Sequence, residues 1–131
     1  MAEEAKLFLN KIIEENDVQA LDRYNIDIDD MPTDIDRRAY EFIREYAAKN
    51  SGEAPSYAVV VANVEGFDYI PEVSDSFKYL AGKIKDFRAK REILRLFETG
   101  EFEKRLNEMD GREFVEKWLP TVLESVKMRT N

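Results

Sequence analysis

The chain has 131 residues, with 44% apolar and 37% charged side chains and a net charge of −8, a size that fits one domain with a core of its own. Cysteine and histidine are both absent, which excludes disulfides, thiol nucleophiles, Cys/His zinc sites, imidazole bases and haem held by either residue. No apolar run approaches the roughly 20 residues that span a bilayer. The N-terminus opens with Glu3, Glu4 and Lys6 in place of an apolar signal core, so a cytoplasmic protein without membrane contact is expected.

The charge is unevenly spread. Up to Asp36, eleven acids face only Lys6, Lys11 and Arg23. From Lys78 to Arg95, seven bases face only Asp86 and Glu92. An acidic body disfavours strong independent binding to nucleic acid, where affinity rests on phosphate neutralisation. The basic stretch reads either as a solvated helix face or as a local contact surface.

Helical periodicity dominates the chain. Leu7, Phe8, Leu9, Ile12 and Ile13 form a first amphipathic run with Glu3 and Glu4 at its dipole-favoured start, and Val18 and Leu21 continue it as a broken second turn. Asn25 to Asp36, rich in Asp and holding Pro32, reads as a loop. Thr33 then starts a helix with Ile35, Ala39, Phe42, Ile43 and Tyr46 on one face, stopped by Asn50, Ser51 and Gly52. Val59, Val60 and Val61 favour a strand, but Ser56 is a good N-cap and Tyr57, Val60, Val61 and Val64 share helical spacing, so a helix is expected.

After a connector around Gly66 to Pro71, Ser74 is expected to cap the longest helix. Phe77, Leu80, Ala81, Ile84, Phe87, Leu94 and Phe97 follow it at steps of three and four. Arg91 interrupts that line, where its stem is expected to pack while its head pairs with an acid. Thr99 and Gly100 end the run, Phe102 and Leu106 carry a shorter helix, and Asp110-Gly111 turns into a last helix. That helix aligns Phe114, Val115, Trp118, Leu119, Val122 and Val126, and Pro120 is expected to kink it. The expected fold is all-α, a helical head over about residues 1–80 followed by a long helix and a C-terminal hairpin over about 74–131.

Catalytic motifs fail when tested. Gly82-Lys83 is followed by Ile84, with Phe77 where a phosphate-binding loop needs its first glycine. The acids Asp27, Asp29, Asp30, Asp34 and Asp36 do not make an EF-hand: counted from Asp27, its fifth, sixth and twelfth positions hold Met31, Pro32 and Arg38. A solvated acidic loop is the expected reading. No catalytic, cofactor or metal residue is assigned, and a small carboxylate enzyme would need a cleft that no motif marks.

The order of elements carries a resemblance. Asp36-Arg37-Arg38-Ala39-Tyr40-Glu41-Phe42-Ile43 is followed by Tyr46, a glycine-containing turn and a short helix. Then comes Phe77-Lys78-Tyr79-Leu80-Ala81-Gly82-Lys83-Ile84, continuing through Arg88, Ala89, Lys90 and Arg91 to Ile93 and Leu94. Over roughly Leu7 to Val126 this resembles the N-terminal domain of DnaB-like replicative DNA helicases. The Val-rich Ser56 to Val64 segment and the acidic first third depart from the commoner bacterial pattern and suit a phage or mobile-element version.

The resemblance implies a non-catalytic collar domain that helps assemble a hexamer and contacts primase and helicase loader. Single-stranded DNA would be handled through the full ring. ATP and magnesium would belong to an ATPase domain beyond Asn131, absent from this chain. Leu106, Phe114, Trp118, Leu119 and Val122 are the expected oligomer interface, by which the chain would associate with itself from dimer to hexamer. Lys83, Lys85, Arg88 and Lys90 are expected contacts to DNA or a partner. Composition equally allows a stand-alone acidic helical adaptor or inhibitor from a phage or mobile element.

Overall fold

The computed structural model describes residues 3–130. The fold is all-α, with no strand among the described residues. Its elements are α1 (Glu3–Glu15), α2 (Ala20–Arg23), a 3₁₀ turn (Ile28–Asp30), α3 (Asp34–Lys49), α4 (Tyr57–Asn63), α5 (Phe77–Glu98) and α6 (Glu101–Glu108). Then α7 (Gly111–Glu113) passes through a π-helical turn (Phe114–Trp118) into α8 (Leu119–Thr130). The chain forms two compact units, the first ending at Ile84 and the second starting at Lys85. Helix α5 supplies residues to both.

The first unit holds the main core. On α1 the apolar residues recur at Ala5, Phe8, Leu9, Ile12 and Ile13, and on α3 at Ala39, Tyr40, Ile43 and Ala47; all are buried. Leu21, Ile26, Met31, Val60 and Leu80 fill the space between them. Each fully buried Leu, Ile or Phe contributes about 1.5–3 kcal/mol of transfer free energy. Phe77 opens α5 against Phe8, ring centroids 5.0 Å apart, with Tyr24 at 6.3 Å from Phe77. Lys11 lies over the same Phe77 ring at 5.2 Å.

Local signals set the helix ends. Thr33 Oγ1 accepts the Asp36 N–H at 3.1 Å, and Ser56 Oγ accepts the Val59 N–H at 3.3 Å, so the Val-rich segment starts as a capped helix. The cap of α5 differs from the sequence expectation: Ser76, not Ser74, accepts the Tyr79 N–H at 3.1 Å. Gly100, at φ +75°, takes the left-handed conformation that separates α5 from α6.

The Asp-rich segment is also corrected. Asp27 and Asp30 cap each other reciprocally across the 3₁₀ turn, at 3.2 and 2.9 Å. Asp30 and Asp36 are buried, so this segment is not simply a solvated acidic loop. Asp27 and Asp30 thus use their side chains on local backbone N–H groups, while Asp29 and Asp34 stay exposed. Among the described residues no cluster of acids is placed to hold a metal ion.

A polar clamp closes the connector of the first unit. Asn10, fully buried on α1, donates to Asp68 O at 3.1 Å and to Lys6 O at 3.0 Å, and accepts the Ile70 N–H at 2.8 Å. Tyr57 on α4 donates to Asn10 O at 2.8 Å. Its burial pushes the phenol up to about 12, with the Glu14 charge adding to the effect.

Candidate interaction surface

The second unit has a small core built from aromatic rings. Phe102 at the start of α6 stacks on Phe97 at 4.9 Å and meets Phe114 edge-on at 5.2 Å. Trp118 lies 5.0 Å from Phe114 and 6.1 Å from Phe102. These geometries add about 0.5–1.5 kcal/mol per pair beyond area burial. The four rings come from three sequence segments, and they bring the end of α5 beside the start of the last helical run.

Farther along, Arg129 of α8 donates to Glu92 of α5 at 3.0 Å. The last helical run therefore returns antiparallel to α5. Glu92 is buried and also lies 3.7 Å from Arg88 and 3.9 Å from Arg95. Three guanidinium groups around one carboxylate offset its desolvation.

The expected kink at Pro120 takes another form. The Leu119 N–H bonds Phe114 O, five residues back, which is the wide π spacing. Pro120 has no N–H, and its ring excludes the carbonyl four residues earlier. The wide turn immediately before it absorbs that defect without breaking the helix. Thr121 Oγ1 then donates to Lys117 O at 2.8 Å, satisfying one carbonyl of the turn.

The five residues expected to form an oligomer interface fare differently. Phe114 is only 4% exposed and belongs to the aromatic core of its own unit. It is therefore removed from the available surface. Trp118, Leu119 and Val122 are half-buried, and Leu106 is 46% exposed.

Sequence reasoning missed the more exposed apolar residues of this unit. Leu94, Phe97, Val115, Leu123 and Met128 range from 49% to 71% exposed. Leu94 and Phe97 continue the spacing of Phe77, Leu80 and Ile84, and the sequence reading gave them no place in the expected interface. The signal available in advance was that this run outlasts the neighbours able to cover it. On α8, Pro120, Thr121, Glu124, Ser125, Met128 and Arg129 line a shallow groove of about 590 Å³.

The basic residues also separate. Lys83 and Lys90 are exposed, Lys83 lying 5.8 Å over the Tyr79 ring and Lys90 paired with Asp86 at 3.4 Å. Lys85 is half-buried. Arg88 is buried against Glu92, so it presents no charge to a partner. Arg91 stands 5.9 Å over the Phe87 ring. Among the described residues no helix is long and apolar enough to cross a membrane. Comparison with protein-family models, with curated proteins and with solved structures gives no match.

Proposed function

We propose that the chain is a non-catalytic helical assembly domain whose second unit binds further copies of itself, as the resemblance to the collar domain of DnaB-like replicative helicases implies. One observation carries the reading: the second unit leaves Leu94, Leu106, Val115, Leu123 and Met128 in water beside a small aromatic cluster in which Phe114 is buried and Phe97 is itself 58% exposed. Apolar exposure on this scale marks an association surface. The charge distribution supports the same choice. From Lys85 onward eleven bases balance ten acids, whereas up to Ile84 eighteen acids face nine bases. Copies meeting through the near-neutral unit avoid the repulsion of the acidic one.

In this reading the domain acts in the cytoplasm as part of a DNA-replication assembly. Primase and helicase loader are its partners, and single-stranded DNA is engaged by the ring as a whole. ATP and magnesium serve a separate ATPase domain. Lys83 and Lys90 are the exposed cations left to contact DNA or a partner.

The test is the pair Leu94→Glu and Leu123→Glu, followed by light scattering. The double variant should keep its helical circular dichroism and fall to the mass of one chain. A native-like variant that keeps the wild-type assembly overturns the reading. The acidity of the first unit favours the stand-alone adaptor as a second reading. That protein would be monomeric in both forms.

A further inference from the structure

The first unit carries a buried titratable group that its packing does not satisfy. Asp36 lies in the first turn of α3 and is 2% exposed. Its Oδ1 accepts no hydrogen bond among the described residues. The charged groups that act on it come from two neighbouring segments: Glu3 and Lys6 of α1, and Asp68 of the connector. Lys6 is the only cation of the set, and its ammonium is already engaged. It donates to Asp68 at 3.0 Å and lies 3.8 Å from Glu3.

The same connector is held to α1 by the Asn10 amide as well as by the Lys6–Asp68 pair. The Ile70 N–H donates to Asn10 Oδ1 at 2.8 Å, and Asp68 O accepts from Asn10 Nδ2 at 3.1 Å. Gly66, at φ +86°, sits where a side chain would come within 3.0 Å of Ile35 beside Asp36 on α3. The connector at Gly66 therefore lies against the first turn of α3.

We propose that Asp36 is a proton-operated latch: as a neutral acid it holds α1, the first turn of α3 and the 66–70 connector together, and as a carboxylate it loosens them. In the ionised form a buried oxygen lacks a donor, and two further carboxylates lie nearby with one shared ammonium. One proton taken up at Asp36 removes that charge. Burial raises the affinity of this carboxyl for the proton, with Glu3 and Asp68 adding to it and with Thr33 and Lys6 opposing it. Acidification therefore closes the junction, and a rise through the titration of Asp36 opens it.

The experiment is hydrogen exchange at the Ile70 amide of the whole chain, corrected for intrinsic exchange, from pH 4 to pH 7. The Asp36 side-chain carbon is titrated by NMR in the same samples. In the wild type, opening at Ile70 should increase with pH along the titration curve of Asp36. Asp36→Asn should lose that pH dependence, while Glu41→Gln, which removes an exposed acid of α3, should keep it. Opening that ignores the Asp36 titration, or an Asp36→Asn profile equal to wild type, overturns the latch. The carbon titration and the wild-type exchange decide the matter by themselves if the variant does not fold.

Discussion

Arg129 donates to Glu92 at 3.0 Å across 37 residues of sequence, joining the end of α8 to the middle of α5. The pair is asymmetric: the Glu92 side chain is 7% exposed and that of Arg129 is 51% exposed. Buried Arg88 shares the same carboxylate. Glu92→Ala would leave Arg88 without its buried counter-charge, and we expect a loss of about 3–5 kcal/mol, read by urea denaturation. Arg129→Ala should cost only about 1 kcal/mol or less, since the arginine is half in water. Equal losses for the two variants would contradict this account of the pair.

Asn10 makes a second long-range closure. Its amide spans α1 and the connector, and the Asn10 side chain itself is fully buried. Asn10→Ala should cost about 1–3 kcal/mol, because the Ile70 N–H and Asp68 carbonyl lose their buried partner. Asn10→Asp should cost more, since a carboxylate would face two carbonyl oxygens. Denaturant midpoints of the two variants check the order.

The titration of Tyr57 has a defined sign. Its hydroxyl is neutral in the fold up to about pH 12, against an ordinary value of 10.0. The folded state disfavours the phenolate, so stability is retained below pH 10 and falls as the pH rises from there towards 12. Absorbance of the six tyrosines against pH should show a late step that Tyr57→Phe removes. Titration of all six together near pH 10 would contradict it.

Pro120 explains the wide turn beside it. With Pro120→Ala a backbone N–H becomes available, and helix propensity improves by up to about 3 kcal/mol. Ordinary α spacing should then return, rotating Phe114 relative to Trp118 and shifting tryptophan emission. Unchanged emission would mean that aromatic packing, not the proline, sets the π turn.

Much of the helical pattern was legible in the sequence because it is local. The steps of three and four on α1 and α3, and the Ser56 and Thr33 caps, depend on neighbours within one or two turns. The fate of each apolar face depends on distant partners. Phe114 is consumed by Phe102, twelve residues away, while Leu94 on a similar pattern stays in water. Burial of Asp30 and Asp36 was hidden for the same reason, since composition cannot separate an acid that caps a turn, as Asp30 does, or one enclosed by distant segments, as Asp36 is, from one in solvent. Pro120 announced a defect, but periodicity could not say that a π turn would absorb it.

The placement of Phe114 also changes which residues report on assembly. A Phe114→Ala substitution in the aromatic core should cost about 3–5 kcal/mol of stability. It would confuse unfolding with dissociation. Leu94 and Leu123 are exposed and avoid that ambiguity.

Sedimentation velocity of the wild-type chain over a hundredfold range of concentration tests the central claim most directly. Self-association through the second unit predicts a mass above 15.3 kDa that rises with concentration towards a closed multiple of the chain. A single species of 15.3 kDa at every concentration would contradict it.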